Sequence, residues 1–218
     1  MIKPRSTIAK LKEGKQVIIA ALGDSLTQGW MVRMGYIDYL KEMLREQYPQ
    51  AHLTIVRRGI PGDTADNGLY RLRRDVLNHN PDCVFVQYAI NDAYLGFTPK
   101  QFRDYIEEII EEIQADSEAD IVLITSSYLE DAREYAYILK YYDQLVELAE
   151  KHRLPIARTD LYWKAAVEGG VDFGTLVQYD LVHPTALGYR YMAQAVMDLF
   201  REDDKGVHGG DLPVRSDL

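Results

Sequence analysis

The chain alternates short unbroken apolar runs with longer stretches in which apolar residues recur every three or four positions. Five runs are short: "QVIIAAL" at 16–22, "HLTIVRR" at 52–58, "DCVFVQYA" at 82–89, "DIVLITS" at 120–126 and "LPIART" at 154–159. Most are apolar on both faces, the pattern of strands in a parallel sheet that helices cover on each side. Apolar stripes at helical spacing lie among them. Ile37, Leu40, Leu44 and Tyr48 form one; Phe102, Ile106, Ile109, Ile110 and Ile113 form another, backed by Glu107, Glu108, Glu111 and Glu112. Ile138, Tyr142, Leu145 and Ala149 form a third, and Tyr189, Met192, Ala193, Val196 and Phe200 the last. Strand and helix in turn predict an α/β three-layer sandwich, a five-stranded parallel sheet with helices on both faces. No repeat or linker divides it. Residues 1–203 read as one domain, and 204–218, within "REDDKGVHGGDLPVRSDL", as a C-terminal tail that has lost periodicity.

This layout gives the first run a chemical interest. "VIIAALGDSLTQGW" (17–30) ends its strand in Gly-Asp-Ser. Parallel sheets bind ligands beyond the carboxyl ends of their strands, which is where Ser25 falls. Three more loops should meet there: "RRGIPGDTADN", "YAINDAY" and "QYDLVHPTALGY". A serine hydroxyl needs a base within hydrogen-bond reach, and the base needs an orienting acid. His183 and Asp180, on one turn, supply both. Pro184 suits the start of the last helix and Thr185 its cap. An oxyanion needs aimed donors, for which the Ser25 N–H, the Gly62 N–H and the Asn91 side-chain amide are the candidates.

Composition narrows the alternatives. The chain has 218 residues, 47% of them hydrophobic and 27% charged, enough for one sizeable core. Its net charge of -9 argues against nucleic acid or an anionic membrane as partner. Cys83, the single cysteine, sits in an apolar run and reads as core. The N-terminal segment lacks a secretory pattern and no run is long enough to cross a bilayer, so a soluble, cytoplasmic protein is expected. Oligomeric state is not legible.

"GDSL" at 23–26, "GIPGDT" at 59–64, "IND" at 90–92 and "DLVHP" at 180–184 resemble, in order, the four sequence blocks of the SGNH or GDSL hydrolase superfamily. The resemblance covers nearly the whole chain. It implies a flavodoxin-like sandwich and ester hydrolysis without metal or cofactor. It also implies Ser25 as nucleophile, Gly62 and Asn91 in the oxyanion hole, and Asp180 and His183 as the rest of the catalytic set. Two positions depart from the blocks: Ala89 stands where the third often has glycine, and Arg58 where the second often has asparagine. The methyl of Ala89 is expected to leave Asn91 in place.

Each residue also has a plainer reading. Ser25 could be only a turn residue, and Asp180 and His183 metal ligands, though no third ligand has convincing spacing. Asp24 and Asp92 read as braces of local backbone. His52, His79, His152 and His208 read as surface residues, and the tyrosines of "REYAYILKYY" as helix packing. Tyr88, Tyr94, Tyr128 and Tyr179 approach the expected site, as do Trp30, Met31, Met34 and Phe97, which would line an acyl pocket or fill core. Three functions follow. The first is a serine esterase acting on short acyl or acetyl esters. The second is a lysophospholipase or acyl-thioesterase with a lipid-like substrate. The third is a non-enzymatic anion-binding module.

Overall fold

The computed structural model describes residues 1–201, so the expected tail at 204–218 lies outside the described residues. Five parallel strands are present: β1 (Gln16–Gly23), β2 (His52–Gly59), β3 (Cys83–Gln87), β4 (Asp120–Ile124) and β5 (Ile156–Ala157). Their spatial order, β2-β1-β3-β4-β5, makes β1, β3 and β4 internal and places β2 and β5 at the edges. The first strand lies one place in from the edge; the chain winds outward from it to β2, then crosses back over β1 to continue on the other side. That reversal opens a crevice at the carboxyl ends of β1 and β3.

Alternation along the strands divides the core in two. Ala20, Leu22, Val84, Val86, Ile121 and Leu123 face one layer of helices: α4 (Ala65–Asp75), α6 (Pro99–Asp116) and α7 (Ala132–His152). Ile19, Ala21, Cys83, Phe85, Val122 and Ile124 face the other. That layer holds α1 (Arg5–Lys12), α3 (Tyr36–Gln47), α8 (Thr159–Glu168), α9 (Phe173–Leu176) and α10 (Ala186–Met197). Residues of β1, β3 and β4 are therefore buried on both faces, which is why those runs read as continuous rather than alternating. Two short helices, α2 (Ser25–Gln28) and α5 (Ile90–Tyr94), begin just past β1 and β3. Cys83 is core, and burial pushes its thiol well above the usual range.

The four expected helices are α3, α6, α7 and α10. Thr98 and Gln101 form a capping box at the start of α6, with Pro99 as its first residue, and Asp131 caps α7. Pro184 does not begin α10; it precedes Thr185, whose Oγ1 accepts from the Gly188 N–H as the expected cap. Three strands are shorter than their apolar runs, β5 most of all, with two of the six residues of "LPIART". Helices α1, α4 and α8 carry no clean stripe. In α4 the inward positions are Ala65, Gly68, Arg71 and Leu72, too small or too polar to stand out.

Two positions test this packing. A Cβ on Gly68 would lie 2.5 Å from the Tyr88 hydroxyl, so α4 lies against Tyr88 only because residue 68 lacks one. Gly68→Ala gains about 1 kcal/mol of helix propensity. Overpacking against a buried tyrosine costs about 1–3 kcal/mol and disturbs that hydroxyl's hydrogen bonds. We expect a net loss of stability in urea unfolding; equal or greater stability would contradict the packing.

Ala89, fully buried, has φ +144° and ψ −47°, a conformation that L residues rarely adopt. The significance of the missing glycine is thus backbone strain, not volume. We place that strain near the upper end of about 1–3 kcal/mol. Ala89→Gly gives up roughly 1.5 kcal/mol in unfolded-chain entropy and one buried methyl. It should therefore stabilise the fold by about 1 kcal/mol. A clear drop in the unfolding midpoint would refute the strain.

Candidate active site

The register of the sheet brings the first three loops together. Gly23 at the end of β1 pairs with Gly59 of β2 and Gln87 of β3. The turn after β1 packs so closely on β2 that a Cβ at Gly59 would fall 2.2 Å from the Gln28 nitrogen. Asp24 caps the turn, its Oδ1 accepting from the Leu26 N–H at 2.8 Å, the local bracing expected of it. Its Oδ2 accepts from the Gln87 amide at 3.2 Å. Ser25 opens α2, so its N–H has no partner within that helix.

Ser25 Oγ lies 2.8 Å from His183 Nε2, and His183 Nδ1 lies 2.6 Å from Asp180 Oδ2. A carboxylate on Nδ1 fixes the proton there and leaves Nε2 as acceptor for the serine hydroxyl. Burial raises the Asp180 carboxyl. The His183 and Val182 N–H groups, at 2.9 and 3.0 Å from Oδ1, together with the imidazole, outweigh it and hold Asp180 below the usual carboxylate range. The carboxylate therefore stays charged at neutral pH.

The turn bearing this pair comes from the far end of the chain and is held on three sides. The Gln178 N–H donates to the His183 carbonyl at 2.7 Å. The Gln178 amide donates to the Pro184 carbonyl at 2.8 Å and the Trp30 carbonyl at 3.0 Å. Leu181 takes φ +60° to close the turn. Trp30 packs its ring 5.8 Å from the imidazole and donates its backbone N–H to the Tyr189 hydroxyl oxygen.

Asn91, on α5, donates its amide to the Asp63 carbonyl at 2.9 Å, so the strain at Ala89 does not displace it. Ser25, Asn91, Asp180 and His183 line one cavity of about 190 Å³ together with Asp24, Leu26, Ile90, Tyr94 and Val182. Gly62 is not among these lining residues. It lies in the exposed turn before α4 with φ +77°, and a Cβ there would meet no atom within 4 Å. The structure thus brings four of the five expected residues to one cavity and leaves the fifth beside it, tied in through Asp63.

Other expected neighbours distribute differently. Tyr94 lines the cavity and donates its hydroxyl to Glu134. Tyr88 is buried behind the site; Tyr128 packs on Tyr135 and Phe173; Tyr179 is exposed. Met31 is exposed and Phe97 packs on Tyr105; of the two readings left open for Trp30, Met31, Met34 and Phe97, lining the cavity is not met, and its apolar lining is Leu26, Ile90 and Val182. Asp92 braces a distant element, accepting from the Ala65 N–H at the start of α4 with Oδ1. Its Oδ2 is buried without a hydrogen-bond partner. Arg58 meets His79, and its carbonyl is held by Arg71. Sequence reasoning passed over Arg71, Asp63, Gln87 and Gln178. A lone arginine in the Ala65, Gly68, Leu72 stripe was the available signal for the first. Among the described residues no three His, Cys, Asp or Glu side chains are grouped so as to hold a metal ion.

Comparison with known proteins bears on the family and the fold. The chain is 32% identical over 108 residues to an arylesterase of Vibrio mimicus, covering 49% of this chain and 52% of that protein. It is 33% identical over 94 residues to thioesterase 1/protease 1/lysophospholipase L1 of Escherichia coli K12, covering 43% and 44%. The chain thus spans about half the length of these curated relatives. The crystal structure of Axe2, an acetylxylan esterase from Geobacillus stearothermophilus, superposes with a TM-score of 0.74, covering 87% of this chain and 94% of that one. At 21% identity that likeness bears on the fold. The model of the GDSL-like lipase/acylhydrolase family matches residues 21–191, from within β1 into α10 and across every loop of the site, and the chain belongs to that family.

Proposed function

We propose that this protein is a serine esterase that cleaves carboxylic esters through an acyl-enzyme, with Ser25 as nucleophile, His183 as general base and acid, and Asp180 as its orienting partner. The observation that carries the reading is the continuous path from Ser25 Oγ to His183 Nε2 and from His183 Nδ1 to Asp180 Oδ2, at 2.8 and 2.6 Å. Ser25 Oγ attacks the ester carbonyl while its proton passes to Nε2. The oxyanion forms against the Ser25 N–H, the Gly62 N–H and the Asn91 amide. Collapse expels the alcohol, which takes the proton from Nε2. Water, deprotonated by the same nitrogen, then releases the acid and restores the serine. Asp180, charged throughout, stabilises the imidazolium formed in each half.

The cavity supports short acyl groups. At about 190 Å³ it is small beside the ~300–1,000 Å³ usual for ligand pockets. Its apolar lining of Leu26, Ile90 and Val182 suits a few methylenes. A second reading, hydrolysis of lipid-like esters or thioesters, is favoured by the exposed apolar residues Leu95 and Leu181, next in sequence to Tyr94 and Asp180. The negative charge supports a small-molecule substrate rather than a nucleic acid. A single buried cysteine suits a reducing compartment such as the cytoplasm. No helix among the described residues is long and apolar enough to cross a membrane.

A p-nitrophenyl ester series tests the reading. Acetyl and butyryl esters should have the highest kcat/KM, and EDTA should change nothing. Ser25→Ala should lose several powers of ten in kcat with an unchanged unfolding curve. Wild-type turnover by that variant would end the proposal, and a maximum at octanoyl or longer chains would favour the second reading.

A further measurement concerns buried charge beneath the nucleophile. Burial pushes the Asp24 carboxyl up to about 7, despite the opposing Leu26 and Gln87 hydrogen bonds. Burial likewise raises Asp92 to about 6. Both native pKa values exceed the unfolded one, so the native state holds more protons and stability falls as pH rises from about 4 towards 7. For Asp24 the shift from 3.8 to about 7 corresponds to at most about 4 kcal/mol. Asp24→Asn should flatten the stability profile between pH 4 and about 8. An equally steep decline in that variant would show that Asp24 is not the source.

A further inference from the structure

We infer that Arg71 is a positioning residue of the hydrolytic reaction, holding the Gly62 turn and the Asn91 amide in place against Ser25. The inference rests on the serine-esterase reading above. Arg71 projects from α4 into the core and is 4% exposed. Its Nε and Nη2 donate to Asp63 Oδ2 at 2.9 and 2.6 Å. Nη2 also reaches the Gly23 carbonyl at 3.1 Å, the Arg58 carbonyl at 2.8 Å and the Tyr88 hydroxyl at 3.0 Å. Nη1 meets Asp75 at 3.2 Å. One planar group thus touches the last residue of β1, the residue before the end of β2, the residue after β3 and the second-block loop.

The chain of contacts continues into the site. Tyr88 also donates to Asp63 Oδ2, at 3.0 Å. The Asp63 N–H closes on the Ile60 carbonyl at 3.1 Å, which fixes the turn containing Gly62. The Asp63 carbonyl accepts one N–H of Asn91, leaving the second free for an oxyanion. Moving Asp63 would therefore move both proposed donors. A buried guanidinium is a costly way to fill space, since apolar residues of similar volume often stabilise a core as well or better. It does offer five donors in a rigid fork, which no apolar residue can supply and which lysine, a point charge with three donors, cannot reproduce.

Such a residue should affect the transition state rather than substrate binding. For p-nitrophenyl acetate, with kcat expressed per site titrated by a fluorophosphonate, Arg71→Lys should lower kcat about 30- to 100-fold and leave KM within about threefold. The same holds for Asp63→Asn, which keeps the carbonyl but loses the carboxylate, and which serves should Arg71→Lys fail to fold. The distinguishing readout is the cycle with Asn91→Ala. If Arg71 acts through the donors, each double variant loses at least about fivefold less than the product of the two single losses, because the part carried by Asn91 is already gone. Multiplied losses, a loss carried by KM, or unchanged kcat per titrated site would overturn the role. Ser25→Ala measured in parallel separates the two levels. If it is inactive while the cycle multiplies, the site stands and the Arg71 role falls. If it turns over like the wild type, the site reading falls and the Arg71 role with it.

Discussion

Gly23 is paired on one side with Gly59 and on the other with Gln87, all three at the ends of parallel strands. That register has a direct consequence. Ser25, Gly62 and Asn91 lie two, three and four residues beyond those strand ends, so any chain that forms this sheet must bring them close together. The turn after β1 seats against β2 only because Gly59 has no side chain there. Asp24 and Gln87, both buried beneath it, hydrogen-bond across the gap between β1 and β3. Loss of the register would therefore scatter Ser25 and the proposed oxyanion donors together.

The fourth contributor is not fixed by the sheet. His183 is 158 residues from Ser25, on a turn outside any strand, and hydrogen bonds rather than strand register hold it in place. Gln178 is central, because it links the turn to itself and to the Trp30 segment that follows Ser25. The left-handed conformation of Leu181 indicates the same demand: the turn accepts an unfavourable residue conformation to bring Asp180 and His183 onto one line with Ser25. The site thus joins a half set by strand register to a half closed by side-chain and turn hydrogen bonds.

How much of this was legible in the sequence follows from the same physics. The inner strands stood out because strands buried on both faces read as unbroken apolar runs; the edge strand β2 buries only Leu53 and stood out by its β-branched residues. The helices α3, α6, α7 and α10 stood out because each has one wet face. Helix α4 escaped because its inner face carries Gly68 and Arg71, and a residue whose value lies in being absent or in being buried with its charge leaves no hydrophobic signal. Ser25, Asn91, Asp180 and His183 were legible from local blocks, since each sits within a few residues of an element end. Their supports were not: Gln178, Gln87, Asp63 and Arg71 act through partners distant in sequence. The importance of Ala89 was misjudged for a related reason, because side-chain size is visible in a sequence and φ is not.

The central claim is that Ser25 is a nucleophile activated by His183. A fluorophosphonate incubated with the folded protein, followed by digestion and peptide mass mapping, tests it directly. The account predicts one adduct, on the peptide carrying Ser25, formed in step with loss of esterase activity and absent from His183→Ala protein over the same time. An adduct on another residue, or full activity in fully labelled protein, would contradict it.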